Sequence, residues 1–432
     1  MLIVVRSHEP NRAKAPRVRA LILVLAGAWW LAEAPLATAE QPAPSQQNGV
    51  VLTYASAVQR AMTANTRLAA ARLRRAVNVA SRDVSAERLN PEFRIEMSKE
   101  MPKEGYTIAV PLELGGKRSR RVQVAEASIR AGEAELTQVM AEVQADVRRA
   151  YFALFVAERR QALLEDMQTL AERARDAAQA RFDAGGVPRL EVVQAQLALS
   201  DIRNQATAAS GSVTAARAVL NAAVGLPTDT LLTIEATLDP GPPLAACEVL
   251  TRARQTSAEI ATVDRRIEEQ RARVALAHAL RTPDITPEAT LTRRAEPEFA
   301  TGWRAAVAVT LPIFTTHGPA VRLEEAALTQ LTSEREATMS RISGEVASAV
   351  AIAESQRLQY IRYRDEILPQ ALELERMADD SYRLGQTAIA AYLQALQASR
   401  DVRLRSIQAA ADLQGALADL ERAIGAPLSP LP

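Results

Sequence analysis

The chain repeats itself at an offset of 200 residues, and this limits its fold more than any single motif does. Residues 181–195 read RFDAGGVPRLEVVQA, and residues 381–395 read SYRLGQTAIAAYLQA. Phe182 falls on Tyr382, Gly185 on Gly385, and Gln194-Ala195 on Gln394-Ala395. Asp201 and Arg203 fall on Asp401 and Arg403. Leu220, Gly225 and Pro227 fall on Leu420, Gly425 and Pro427. Chance likeness between alanine-rich helices does not hold two glycines and a proline in register over such a stretch. The chain is therefore two equivalent halves, and the fold must let each half do the same thing.

Each half follows one plan. A helical segment, 52–88 or 245–281, ends at Asn90-Pro91 or Thr282-Pro283, because proline cannot continue a helix. Two short alternating runs follow and read as a hairpin, at about 92–99 and 105–114, then at about 285–293 and 303–314. A very long helical stretch comes next, near 117–184 and 319–384. Val143, Val147, Ala150, Leu154, Ala157 and Leu164 keep a 3-4 spacing in the first, interrupted by Gln161. Ile342, Val346, Ala349, Ala353, Tyr360, Tyr363, Ile367, Leu374 and Met377 do so in the second, interrupted by Gln356 and Gln370. That period is a coiled-coil seam, and about 65 helical residues reach roughly 100 Å. Glycine near 185 and 385 turns each long helix back on itself, and the returning helix stops at Gly225 or Gly425. The expected fold is mainly helical with a small β part.

The first residues read as an export signal. Arg6, Arg12, Lys14, Arg17 and Arg19 precede the apolar run Ala20–Leu31, and Ala37-Thr38-Ala39 supplies a cleavage pattern. The expected organisation is a signal peptide at 1–39, a flexible mature N-terminus at 40–51 and a first repeat at 52–227. A linker at 228–244, a second repeat at 245–427 and a tail at 428–432 complete it. Loss of the signal takes the formal charge from +1 to about −2, so charge gives no case for a nucleic-acid partner. Cys247 is the only cysteine, which rules out an intrachain disulfide.

Four short strands in an exported chain raise an accounting problem. An open four-stranded sheet in lipid would leave its edge N–H and C=O groups unsatisfied, and small closed barrels need about eight strands. If the strands are membrane-embedded, more than one chain must share the barrel.

This layout resembles the TolC-like outer membrane efflux family from about Leu52 to Pro427. The resemblance is carried by the Asn90-Pro91 pair, by Arg181-Phe182-x-x-Gly185 with Gln194-Ala195, by its copy Tyr382-x-x-Gly385 with Gln394-Ala395, and by Val224-Gly225-x-Pro227. It implies a homotrimer in outer-membrane lipid, with a twelve-stranded barrel above a periplasmic helical tunnel. The corner Pro111-Leu112-Glu113-Leu114-Gly115-Gly116-Lys117-Arg118 resembles the cobalt–zinc–cadmium resistance branch. That branch implies a periplasmic adaptor and a proton-driven inner-membrane pump of the RND type, with divalent heavy-metal cations as cargo. The bare reading of the same run is a glycine corner followed by cations near the membrane surface. The second half departs from it, with His317-Gly318 at the matching place.

The resemblance also implies that both glycine tips contact the adaptor, through Arg181, Phe182, Gly185 and Gly186 and through Tyr382, Gly385 and Gln386. Some relatives constrict the entrance with acidic residues after the second tip. Those positions here are Ala391 and Gln394, and the acid lies in the first half, at Glu191. His278 and His317 stand without ligand-spaced companions, so no metal site or cofactor is expected. No nucleophile–base pair or phosphate loop points to an enzyme. Two other readings compete: a multidrug or type I secretion channel, and a periplasmic coiled-coil adaptor or scaffold.

Overall fold

The computed structural model describes residues 50–236, 238, 240–426 and 428. The expected signal peptide, residues 40–49, Pro227's counterpart Pro427 and most of the tail lie outside them. In the first repeat, α1 (Tyr54–Ala64) and α2 (Thr66–Ser85) lead into strands β2 (Glu92–Met97) and β3 (Glu104–Ala109). Then come α3 (Lys117–Asp183) and α4 (Arg189–Val224). The second repeat answers with α5 (Ala246–Thr256), α6 (Ala258–Ala279), β5 (Ile285–Ala295) and β6 (Phe299–Val309). Its long helix is α7 (Gly318–Arg362) and α8 (Leu368–Arg383), joined by a π-turn at Tyr363–Ile367, and α9 (Ile389–Ile424) returns.

The first helix of each repeat, expected to run unbroken, is in fact broken once. Asn65 adopts extended backbone and Ser257 likewise leaves the helical region, and each side chain accepts a hydrogen bond from the N–H three residues on, Leu68 N at 3.1 Å and Ile260 N at 3.4 Å. The new helix is thus capped where the old one stops. The breaks make room for the glycines that end the repeats. A Cβ on Gly225 would lie 2.4 Å from Ala64 O, and one on Gly425 would lie 2.8 Å from Ala258 N. Both glycines also have positive φ, so no other residue fits easily. This close approach, made twice, is the physical content of the Gly225–Gly425 match.

Two short strands lie in the segments read as the end of the mature N-terminus and the inter-repeat linker. Strands β1 (Val50–Thr53) and β4 (Leu232–Glu235) pair in parallel, Val50 with Leu232 through Thr53 with Glu235. The Tyr151 hydroxyl donates within reach of Leu52 O (3.1 Å) and Glu235 O (2.5 Å), pinning both strands onto α3. Leu52 and Leu232 join Val143, Val147, Leu154 and Leu220 in one buried cluster.

The seam of α3 is buried at every position read from the sequence. The seam of α7 holds only as far as Tyr360. Beyond the π-turn, Leu374 and Met377 are exposed, and Ala371, Ala378 and Tyr382 face the core instead. A π-turn carries one extra residue, and the inward face moves on by one. Pro369 lies just beyond this turn and has no N–H to offer the preceding turn.

The four long-range strands form one sheet in the order β2-β3-β5-β6. The first hairpin is shorter than expected, ending at Ala109. Past it Leu112 makes only an isolated bridge to Ile285. In the second hairpin β5 starts at Ile285 as expected and runs on to Ala295, whereas β6 both starts and ends before the expected 303–314, at Phe299–Val309, so that each strand has 11 residues. Register puts Phe93, Ile108, Ala289 and Ala305 in one row, and Ile95, Tyr106, Leu291 and Trp303 in the next row on that face. The opposite face carries Arg94, Thr107, Thr290 and Arg304, with Thr107 Oγ1 3.0 Å from Thr290 Oγ1. One side of the sheet is therefore apolar and the other polar. Among the described residues neither β2 nor β6 has a partner on its outer edge.

Candidate functional site

The two helical hairpins end side by side. At the first tip Gly185 N donates to Phe182 O (2.9 Å) and Gly186 N to Arg181 O (2.9 Å). At the second, Gly385 N donates to Tyr382 O (3.0 Å) and Gln386 N to Ser381 O (2.9 Å). Gly185 and Gly385 have φ of 73° and 72°. Nothing lies within 4 Å of a Cβ added to either, so the left-handed backbone alone asks for glycine here. The pair of reversed helix ends is the same turn made twice.

Side chains then join the tips into one unit. Tyr382 stacks on Tyr392, with ring centroids 4.8 Å apart and planes 2° from parallel. The Arg181 guanidinium lies 5.4 Å from the Tyr382 ring, across the boundary between repeats. Ala174, Ala178, Val192 and Ala195 of the first hairpin pack with Tyr382, Ile389, Tyr392 and Leu396 of the second. Tyr392 donates to Asp379 Oδ1 at 3.0 Å. Burial raises the Tyr382 hydroxyl pKa, the Arg181 guanidinium beside it pulls it down, and the Glu191 carboxylate adds to the rise. Tyr392 is also pushed up, by burial first and then by the Asp379 carboxylate.

The structure thus brings together Arg181, Tyr382 and Glu191 from the sequence-derived set. Glu191 is half-buried in the first turn of α4, and its Oε2 has no hydrogen-bond partner within the described chain. Phe182, Gly185, Gly186, Gly385 and Gln386 are exposed around this joint, as are Ala391 and Gln394 on α9. Sequence reasoning missed Tyr392. The same offset held the signal, since it aligns Tyr392 with buried Val192 and so marks it as an inward residue.

The strand-to-helix corner lies at the other end of α3, about 100 Å away along the helix. Gly115 and Gly116 both have positive φ, and a Cβ on Gly115 would meet Thr282 Oγ1 at 2.5 Å. Lys117 makes an ion pair within the corner. It is buried, with Nζ 2.7 Å from Asp284 Oδ2, while Leu114 N donates to Asp284 Oδ1 at 3.0 Å. Arg118 donates to Ala86 O at 2.6 Å, and Glu113 pairs with Arg121. The corner is a joint fastening the start of α3 to repeat two and to the end of α2. His317 occupies the matching place before α7 with φ 54°, a conformation that histidine tolerates better than most residues.

Among the described residues, no group of three His, Cys, Asp or Glu side chains converges as a metal site. No described helix is long and apolar enough to cross a membrane.

Comparison with known proteins agrees with this architecture. Residues 57–226 match the family model described as "Outer membrane efflux protein". The cobalt-zinc-cadmium resistance protein CzcC of Cupriavidus metallidurans is 27% identical over 205 residues, 48% of this chain and 49% of that protein. The nickel-cobalt-cadmium resistance protein NccC of Alcaligenes xylosoxydans xylosoxydans is 35% identical over 120 residues, 28% of each chain. The match therefore spans about half of the first relative and less of the second. The CmeC outer membrane channel of Campylobacter jejuni superimposes with a TM-score of 0.74 at 16% identity, covering 86% of this chain and 85% of that one. That likeness is one of fold. None of these proteins is described as an enzyme.

Proposed function

We infer that this chain, a TolC-like outer membrane efflux protein akin to the cobalt–zinc–cadmium resistance branch, is one subunit of a passive exit duct through the outer membrane. One observation carries the reading: a sheet with an apolar face and two open edges sits at one end of helices roughly 100 Å long. The apolar face, with Phe93, Ile95 and Trp303 exposed, suits lipid, and the polar face with Arg94 and Arg304 suits a water-filled interior. The open edges of β2 and β6 cannot stand in lipid unpaired. They pair with neighbouring copies, and three copies of four strands close a twelve-stranded barrel.

The helices then extend into the periplasm, and the joined tips meet a periplasmic adaptor that connects the duct to an inner-membrane RND pump. The cargo is divalent heavy-metal cations. Two relatives named for resistance to such metals support this choice, as does the PLELGGKR corner. A duct needs no metal-binding site of its own, because the pump supplies both selection and energy.

The test is the mass of protein extracted from outer membranes in detergent, by light scattering with the detergent subtracted. A membrane-derived trimer is expected. A soluble monomer or dimer would overturn the reading and favour a periplasmic scaffold. For the cargo, deletion of the gene should lower tolerance to cobalt, zinc or cadmium. Loss of drug tolerance alone would move the duct to a multidrug system.

A further inference from the structure

The apolar face of the sheet changes character at the end far from the corner. Nearest the corner it carries Leu112, Ile285 and Val309, then Val110, Pro287 and Val307. No row on this face carries a charge as far as the row of Ile95, Tyr106, Leu291 and Trp303, where Trp303 is 82% exposed. The next row out holds Met97, Glu104, Arg293 and Thr301. About 26 Å of tilted strand separates Arg293 from Ile285, enough to cross most of an apolar band roughly 25 Å tall. Aromatic side chains mark the rims of such bands, and Tyr106 and Trp303 stand one row inside Arg293.

The backbone brings a second cation to this rim. Strand alternation assigns Arg294 to the opposite, polar face with Thr292. Arg294 instead has φ 56°, a left-handed conformation uncommon outside glycine. The ladder passes from Arg293–Thr301 to Ala295–Phe299 without it. Its Nη1 lies 2.9 Å from Glu104 Oε1, and Glu104 shares a face with Tyr106. Arg294 thus takes the one acid of the row. The Arg293 guanidinium is left exposed, with no ion-pair partner among the described residues. Trp303 is its diagonal neighbour across β5 and β6, about 7–8 Å away. The turns beyond carry both signs, with Lys99, Glu100, Lys103, Glu296 and Glu298. A general positive field is therefore absent, and any affinity for an anion must come from the row itself. An uncompensated guanidinium is costly in lipid. At headgroup depth it meets phosphate, which arginine holds through two parallel hydrogen bonds.

We propose that Arg293, with Arg294 held beside it by Glu104 and Trp303 one row below, binds a phosphate of lipopolysaccharide in the outer leaflet. The Trp303 indole then lies where the sugar headgroup meets the acyl chains. This rests on the reading of the chain as an outer-membrane duct. It adds a lipid ligand and the residues that hold it.

The test uses full-length protein extracted from outer membranes in detergent and stripped of bound lipid. Trp303 is the only tryptophan after residue 30, so its emission reports on the site. The protein is titrated with lipopolysaccharide, with the same material after removal of its phosphates, with phosphatidylglycerol and with inorganic phosphate. The proposal expects a saturable change with intact lipopolysaccharide. Binding should weaken about tenfold or more when the phosphates are removed or when Arg293→Gln is used. Arg293→Lys keeps the charge but loses the paired donors, and should fall between Arg293→Gln and the parent. Arg304→Gln removes an exposed arginine from the opposite face and should bind like the parent. Equal binding of the dephosphorylated material or of phosphatidylglycerol overturns the site, as does a response to inorganic phosphate alone. An unchanged affinity in Arg293→Gln, an equal loss in Arg304→Gln, or a change that persists in Trp303→Phe also overturns it. If the detergent particle has the mass of a trimer in those cases, the duct reading survives. If the protein is a soluble monomer, both fail.

Discussion

The two tips are built on the same turn but keep it in different ways. The first tip ends α3, one unbroken helix of 67 residues, and leaves Phe182 37% exposed. The second ends a helix interrupted by a π-turn and buries its equivalent, Tyr382, against Tyr392. The first repeat spends its aromatic residues near the strands, where Tyr54, Tyr151 and Phe152 cluster. The second stacks Tyr382 on Tyr392 at the tip. Duplication fixed where the turns lie, and divergence decided which hairpin anchors the joint and which presents a side chain outward.

The largest effect should come from breaking that asymmetry. Tyr382→Ala removes a buried ring, its stacked partner and the platform for Arg181, and should cost about 3–5 kcal/mol of local stability. Phe182→Ala removes a side chain that is already partly in water and should cost about 1 kcal/mol or less. Hydrogen exchange over α8 and the start of α9, or proteolysis at the tips, reads the difference. Equal costs would mean that the tips are interchangeable and that the tyrosine pair does not anchor the joint.

A smaller, symmetric effect is expected from the backbone. Gly185→Ala and Gly385→Ala each place a Cβ in open space at a positive φ, so only conformational strain is paid, about 1–2 kcal/mol. The two variants should match within a few tenths of a kcal/mol. The same change at Gly225 meets Ala64 O as well and should cost more. Chemical unfolding of the three variants separates a strained turn from a close approach.

The long-period features of the fold were legible in the sequence because they recur. The repeat, the seam over Val143–Leu164, the tip glycines and the order of strands and helices all carry a period or a copy. Features that depend on one distant contact were not. The pairing of Val50–Thr53 with Leu232–Glu235 joins two four-residue runs far apart in the chain, too short to show an alternation. The helix breaks at Asn65 and Ser257 depend on the glycine that arrives from the far end of each repeat. The π-turn was visible only as a proline, and one inserted residue was enough to turn Leu374 and Met377 outward. For the site, the offset found the tips and aligned Phe182 with Tyr382, but not the stacking of Arg181 on that ring across the repeats. It could not tell that Lys117 would be buried on Asp284, because that contact joins two repeats through single residues.

The smallest effect concerns Glu191, the one acid in the candidate constriction. Its carboxylate adds to the rise in the Tyr382 pKa, behind the larger effect of burial. A tyrosine held above its free value, about 10, contributes stability at every pH below that value and loses the contribution as pH rises through the folded value. Glu191→Gln removes one cause of the rise, so the folded value should move down towards the free one. The tip should then lose less stability between neutral and alkaline pH, and the loss should end at a lower pH. Tyrosinate absorbance, taken as the difference between the parent protein and the variant, reads the shift directly. A Glu191 that instead points into the conduit would leave this titration unchanged and lower the cation preference of single-channel conductance. The two measurements together decide whether the acid belongs to the joint between the tips or to the passage they surround.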